Sequence, residues 1–349
     1  MLQIGPVQID CPAVQAALSG YSDLAMRRVA RMHGAAYALN EVVLDQTVLT
    51  RGKKQRRMTR VPADDHPVGG QLMGAEPEAF ATAADMLVDA GYDVIDINFG
   101  CPVRKVLGRC RGGFLLSDPS TALDIVRRVY DAVGQRRPVS VKMRRGTDDS
   151  DVSERNFFEI LDGAFEIGVD AVTVHGRTVE QRYVGPSRWP FLAKVKKHVG
   201  DKTVLGSGDL FTPVDCVRMM EETGVDGVTV ARGCIGNPWI FQQCRALFNG
   251  EPLPPPPSVA EQGETIRKHY EWAIELYGDE RGSRMMRKFG IKYSELHPDA
   301  MAVRDAFIRV KVSDQWQLVL DEWYDPHRPW PETVHREGPG DLVAAGATV

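Results

Sequence analysis

Between Val14 and Arg232 eight short strand-like stretches recur, and amphipathic helical stripes or helix-start signals separate most of them. No Asn-Gly or similar tight-turn pair joins one stretch directly to the next, so the strands are not arranged as antiparallel hairpins. Parallel neighbours need a crossover of a dozen or more residues, usually a helix. Repeated strand–helix units in this number predict an α/β chain whose strands close into a (β/α)8 TIM barrel rather than an open sheet.

The predicted strands run over Val14–Gly20, Tyr37–Val43, Pro67–Gly74, Val94–Phe99, Pro138–Arg144, Ala171–Arg177, Thr203–Asp209 and Gly227–Arg232. In the fourth, Ile95, Ile97 and Phe99 alternate with Asp96 and Asn98, which gives one apolar and one polar face. Gly100 and Pro102 stop that strand and leave Cys101 in the turn past its carboxyl end. The fifth alternates Val139, Val141 and Met143 with Ser140, Lys142 and Arg144. Helix starts are marked by Ser22 and Asp23, by Pro77, by Asp118-Pro119 and by Thr212-Pro213; Gly34, Gly91, Gly168 and Gly224 mark helix ends.

Residues 1–250 thus form the predicted barrel domain. Residues 251–260, with Pro252 and Pro254 to Pro257, read as a stiff linker. Residues 261–325 read as a small all-helical domain, and the Pro-, Gly- and small-residue-rich stretch 326–349 as a disordered tail. The 349 residues are 43% hydrophobic and 26% charged, which suits a soluble globular protein of this domain count. No apolar run reaches the length of a membrane span, so a cytoplasmic protein is expected. The six cysteines lack metal-ligand spacing and are read as reduced thiols with no metal. No oligomer interface is legible, and a monomer is the default.

Polar side chains collect at the carboxyl ends of successive strands: Gln71, Asn98, Cys101, Lys142, Arg144, His175 and Arg177. Chemistry sits at that end of such barrels. Any one of them has an ordinary explanation, since a strand lysine can pair with a carboxylate and a cysteine can be inert packing. Several cationic groups gathered at one end point instead to an anionic or electron-rich occupant. Gly206-Ser207-Gly208-Asp209 and Ala231-Arg232-Gly233, after strands seven and eight, are small-residue turns that let backbone amides approach a phosphate. Net charge is −4, which argues against nucleic-acid binding over the whole surface but leaves room for local patches. Two basic runs are present. Arg51, Lys53, Lys54, Arg56, Arg57 and Arg60 fit a solvated loop and an RNA-facing one equally. Arg284, Arg287, Lys288 and Lys292 recur at helical spacing, for which a solvated helix face suffices on the residues alone.

Asp-Ile-Asn-Phe-Gly-Cys-Pro at 96–102, Lys142-Met143-Arg144, His175-Gly176-Arg177, Gly-Ser-Gly-Asp at 206–209 and Asn-Pro-Trp-Ile-Phe at 237–241 follow one another as in tRNA-dihydrouridine synthases. The chain resembles that family from about Val14 to Tyr324. The resemblance implies an FMN-dependent oxidoreductase that reduces the C5–C6 double bond of a uridine in tRNA, with NADPH (or NADH) re-reducing the flavin. It implies Cys101 as the general acid at C5, Lys142 and Gln71 against the isoalloxazine ring, and His175 helping to hold it. Ala17, Leu18 and Ser19 would pass beneath the flavin. Ser207, Gly208, Asp209, Ala231 and Arg232 would surround its phosphate. Asn98, Arg144 and Arg177 would hold the base, and Arg284, Arg287, Lys288 and Lys292 would meet the tRNA backbone.

Three departures stand out. Ala16-Ala17-Leu18-Ser19-Gly20 replaces the usual Ala-Pro-Met-Ala-Gly, Ser207 replaces Asn and Ala231 replaces Gly, so FMN is expected to bind, but more weakly. Cys110 is a second thiol in the same loop, with arginine neighbours that could lower its pKa; Cys101 fits the acid position better. Two other readings are a flavin barrel acting on a small pyrimidine and a flavin- or RNA-binding member without catalysis. The helical domain and basic runs oppose the first. The set Cys101, Lys142, Arg144 and His175 opposes the second.

Overall fold

The structure is a computed structural model in which residues 1–50 and 52–338 are described. It opens with an antiparallel hairpin, β1 (Leu2–Ile4) and β2 (Val7–Ile9), turning at Gly5-Pro6 ahead of the repeated units. The parallel strands follow: β3 (Ala13–Gln15), β4 (Ala38–Leu39), β5 (Val43–Leu44), β6 (Val68–Met73), β7 (Val94–Phe99), β8 (Val139–Arg144), β9 (Ala171–His175), β10 (Thr203–Ser207) and β11 (Gly227–Val230). β3 pairs with both β4 and β11, β4 pairs with β6, and each strand from β6 to β10 pairs with its successor. The result is a closed eight-stranded barrel. β5 is a short continuation of β4 that pairs on β6 alone.

Several strands are shorter than the alternation suggests. The first leaves the sheet after Gln15, where Ala16 N–H still reaches the Val230 carbonyl at 2.9 Å. Beyond it, Ser22 Oγ accepts from Leu18 N–H (2.8 Å), and the Tyr21 and Ser22 amides return to the Leu18 carbonyl. A short polar side chain has drawn the backbone into a turn. The second breaks at Asn40, whose Oδ1 accepts from Gln71 N–H at 2.7 Å. β9, β10 and β11 each end two residues early, at His175, Ser207 and Val230. The residues beyond, Arg177, Asp209 and Arg232, turn out of the ladder to build the barrel mouth.

The helices of the barrel are α1 (Leu24–Met32), α2 (Asp45–Leu49), α3 (Lys53–Met58), α4 (Pro77–Asp89), α5 (Arg104–Leu107), α6 (Pro119–Val133), α7 (Asp151–Ile167), α8 (Trp189–Val199), α9 (Pro213–Thr223) and α10 (Ile240–Phe248). Asp23 caps α1 through Met26 N–H (3.0 Å), and Thr212 with Asp215 forms a capping box on α9. Part of the basic stretch near Thr50–Val61 is helical, as α3, with no buried side chain. α8 is missed by the strand–helix reading, although its Trp-Pro start and the spacing of Leu192, Val195 and Val199 are present in the sequence.

Outward strand residues such as Ile97, Phe99, Val141, Met143, Val172 and Val174 are buried beneath the helices. Inside, Leu2, Ile4 and Ile9 of the hairpin pack on Val14, Val94, Ala171 and Leu205 and plug the amino-terminal end. Polar side chains are left for the carboxyl end.

After α10 the proline stretch leads to α11 (Val259–Tyr277), α12 (Asp279–Tyr293), α13 (Ala300–Arg309) and α14 (Ser313–Trp323). This helical unit docks on the barrel through His33 Nε2 with Thr265 Oγ1 (3.0 Å) and Tyr277 OH on Asp23 (2.8 Å). Of the stretch read as a disordered tail, residues 326–338 pack against the helical unit. Trp330 stacks edge-on to His297 with ring centres 4.8 Å apart, and Arg336 pairs with Glu295 at 2.8 Å. Residues 339–349, and Arg51 of the first basic run, lie outside the described residues. Among the described residues no helix is long and apolar enough to cross a membrane. None of their His, Cys, Asp and Glu side chains group as a metal site would require.

Candidate active site

A cavity of about 360 Å³ opens at the carboxyl end of the barrel. Its walls come from the turn after β3 (Ala17, Leu18, Ser19), from Gln71, Asn98 and Cys101, from Lys142, Arg144 and His175, and from the turns after β10 and β11 (Ser207, Gly208, Asp209, Ala231, Arg232). The parallel register causes this convergence: Gln71 lies opposite Asp96, Asn98 opposite Lys142, Arg144 opposite His175, and His175 opposite Ser207.

One wall is a hydrogen-bond chain. Asp96 is buried and accepts from Ser140 Oγ (2.5 Å) and Gln71 Nε2 (2.7 Å). Gln71 Oε1 accepts from Asn98 Nδ2 (2.6 Å), and Asn98 Oδ1 accepts from Gly100 N–H (2.9 Å). The amides of Gln71 and Asn98 thus have fixed orientations, and the Cys101 turn hangs from the end of the chain. Arg144 braces that turn through Nε to the Gly100 carbonyl (2.9 Å), while Nη1 reaches the Thr178 and Arg182 carbonyls (2.9 and 2.7 Å). Gly112, at φ +58°, lets the following loop close behind the thiol, since a Cβ there would sit 2.8 Å from Cys101 Cβ. Cys110, by contrast, is exposed and does not line the cavity.

Electrostatics follow from burial. Burial raises the Cys101 thiol above its usual range, so it is protonated at neutral pH. Burial, then Arg144, lowers the Lys142 amine to about 8 against the pull of Asp96. Burial lowers Arg144 to about 10. His175 is held well below its usual range by burial and then by Arg144, Lys142, Arg177 and Arg232. It is neutral, and Nε2 lies 3.4 Å from Arg177 Nη1, which assigns that nitrogen as the acceptor.

Arg177 itself does not line the cavity. It is buried behind the wall, with Nη2 on both Asp209 oxygens (2.7 and 2.8 Å) and Nε on the Gly185 carbonyl (2.8 Å). The basic residues of α12 also divide. Arg284 and Arg287 are exposed. Lys288 donates to the Gly20 carbonyl and lies 4.6 Å from the Tyr21 ring centre, and Lys292 pairs with Glu295 at 3.0 Å.

The sequence reading does not single out four other residues of the site. Asp96 and Ser140 are inward by alternation, but only the fold shows them anchoring Gln71. Tyr183 and Phe211 both lie against Arg232, whose guanidinium is 4.8 and 5.1 Å from their ring centres. Their loops carry no periodic signal from which this could be found.

The sequence model of the dihydrouridine synthase family matches residues 14–322. A probable tRNA-dihydrouridine synthase of Mycobacterium tuberculosis strain H37Rv is 35% identical over 95% of this chain and 87% of its own length. One from Rickettsia prowazekii is 34% identical over 92% of this chain and 99% of its own. The tRNA-dihydrouridine synthase B of Xanthomonas axonopodis pv. citri is 32% identical over 93% and 96%. Among solved structures, histamine dehydrogenase from Rhizobium sp. 4-9 superposes with a TM-score of 0.56 at 14% identity, over 71% of this chain. A 2-naphthoyl-CoA reductase superposes at 0.57 with 12% identity, over 72%. This chain spans about half the length of each of these two, and the likeness is one of fold. The extent of the family match and the identity to curated relatives agree with the motifs around the cavity: the chain belongs to the dihydrouridine synthase family.

Proposed function

We propose that this protein reduces a uridine of tRNA to 5,6-dihydrouridine, using FMN in the barrel mouth and NADPH (or NADH) as reductant. The observation that carries the reading is that Cys101, Lys142 and the glycine turn beside Arg232 line one cavity at the carboxyl end of the barrel. The relatives' names supply the substrate class.

The residues fit the cofactor. The Thr229 hydroxyl is buried beside the cavity with no protein partner, as an atom awaiting a ligand would be. Gly208, at φ +112°, has no room for a Cβ, which would meet Ser187 Oγ and the His175 ring, so glycine lets the turn after β10 line the cavity with backbone. Gln71, Lys142 and His175 would hold the ring, and Ser207, Gly208, Asp209, Ala231 and Arg232 the phosphate. The backbone of Ala17, Leu18 and Ser19 would lie along it. FMN, when bound, supplies the hydride for C6 of the uracil.

The chain's own residues do the rest. Cys101 holds a proton on Sγ and releases it to C5, after which the thiolate regains a proton from water. Arg144 and Asn98 position the Cys101 turn through Gly100 and face the base. Asp96 fixes the Gln71 amide. A uridine must leave its stack to reach this depth, and the exposed Arg284 and Arg287 offer charge for the RNA backbone. Lys288 and Lys292 serve the seam between barrel and helical unit, and Arg177 holds Asp209 and His175 in place.

The test incubates purified protein with FMN, NADPH and bulk tRNA and measures dihydrouridine by nucleoside mass spectrometry, with free uridine in parallel. Dihydrouridine confined to the tRNA is expected. A protein left colourless by excess FMN, or reduction of free uridine in preference to tRNA, would overturn the reading.

A further inference from the structure

Residues 326–338 lie beyond the family match, which ends at residue 322, yet they are pinned to the helical unit, the proline stretch and α10. Trp330 packs on His297, Thr333 Oγ1 donates to the Pro257 carbonyl (2.8 Å), and His335 Nδ1 lies 3.5 Å from Gln243 Nε2. The strap then delivers Arg336. That side chain is 7% exposed and pairs with Glu295 at 2.8 Å, the carboxylate that Lys292 also reaches. Its Nε donates to the Gly338 carbonyl (2.9 Å), and its guanidinium lies 5.9 Å from the centre of the Phe211 ring.

Phe211 lines the cavity, whereas Arg336 does not. The Phe211 backbone is held by the Asp215 carboxylate (3.2 Å) at the start of α9, and its ring carries Arg232 at 5.1 Å. Two guanidinium groups therefore lie within cation–π range of one ring, Arg336 at its outer limit of about 6 Å. One of them, Arg336, shares Glu295 with Lys292. The other, Arg232, has Asp209 at 3.6 Å and faces the cavity.

We infer that the C-terminal strap is a positioning element for the anion end of the cavity: Arg336 sets the Phe211 ring, and the ring holds Arg232 toward the ligand's phosphate. The inference rests on the FMN reading of the site. It makes an asymmetric demand. Riboflavin has the same ring system as FMN but no phosphate, so the strap matters for FMN and not for riboflavin.

The experiment titrates full-length protein, stripped of flavin, with FMN and with riboflavin, and reads dissociation constants from flavin fluorescence. Arg336→Gln and a chain ending at Asp325 are compared with the unaltered protein. Arg336→Gln is expected to weaken FMN by about three- to tenfold, the size of a single cation–ring attraction, and to leave riboflavin unchanged. Arg336→Lys is expected to restore most of the affinity. Circular dichroism melting shows whether the shortened chain folds; if it does not, Arg336→Gln decides. Equal weakening of both flavins, or of neither, would overturn the strap's role while leaving the FMN reading intact. An unaltered protein that binds neither flavin would overturn both.

Discussion

On the proposed reading Cys101 and Lys142 have opposite tasks, and burial shifts each toward its own, raising the thiol and lowering the amine. Burial keeps the thiol protonated, so its loss removes an acid and not a ligand. Cys101→Ala should lower dihydrouridine formation by about 10²- to 10⁴-fold while NADPH-driven reduction of bound flavin, followed by absorbance, continues. Cys110→Ala should leave turnover close to that of the unaltered protein, since that thiol is exposed and outside the cavity. Lys142 titrates at about 8 in the free protein. The acceptor edge of the flavin ring favours the charged amine, so binding takes up a proton once the free amine has lost it. FMN affinity should therefore fall as pH rises above 8, approaching about tenfold per unit. Lys142→Met should abolish that slope. The Gly100 and Pro102 stops leave Cys101 just past its strand's carboxyl end, and strand alternation places Lys142 on the inward face in the sequence itself. It does not reveal Asp96 as the anchor of Gln71, because that depends on a neighbouring strand's register.

At the scale of elements, α12 shows why helical spacing is an incomplete guide to a binding face. Arg284, Arg287, Lys288 and Lys292 share a spacing, but α12 meets the barrel along part of its length, and the packing takes Lys288 to the Gly20 carbonyl and Lys292 to Glu295. A surface for RNA keeps Arg284 and Arg287. Replacing both with alanine should raise the KM for tRNA and reduce the salt dependence of binding by about one unit of log–log slope for each phosphate no longer neutralised, with little change in kcat. Lys292→Ala should instead lower the melting temperature and leave the salt slope alone, because it removes one of the two cationic partners of the largely buried Glu295. The shortened strand ends have a similar origin. Alternation continues through Arg177 and Asp209, yet those side chains satisfy each other off the ladder.

In the whole molecule, His33 is buried at the seam between barrel and helical unit, against Thr265, and His269 inside the helical unit, against Phe289 and Tyr293. Burial lowers His33 to about 4 and His269 to about 3. Both are neutral in the folded state, whereas the unfolded chain takes up protons near pH 6.5. Their contribution is therefore complete above pH 6.5 and is lost as pH falls toward 4 and below. Urea unfolding at pH 5 should show a deficit against pH 7 on the order of 1–2 kcal/mol for each histidine. Replacing His269 with Gln should remove its share of that pH dependence. A protein whose stability is flat between pH 7 and 5 would show that these two rings are not buried as neutral groups.

The sequence by itself determined the number of barrel strands, which strand faces are polar, where most helices start, and which turns carry glycine. These are local properties, set by side-chain periodicity and backbone sterics. The tertiary structure decided where strands end, which inward residues hold one another, which cations of α12 remain exposed, and that residues 326–338 pack as a strap. Each of those depends on pairing between residues far apart in the chain, and burial alone creates the demand that such charges and polar groups find partners.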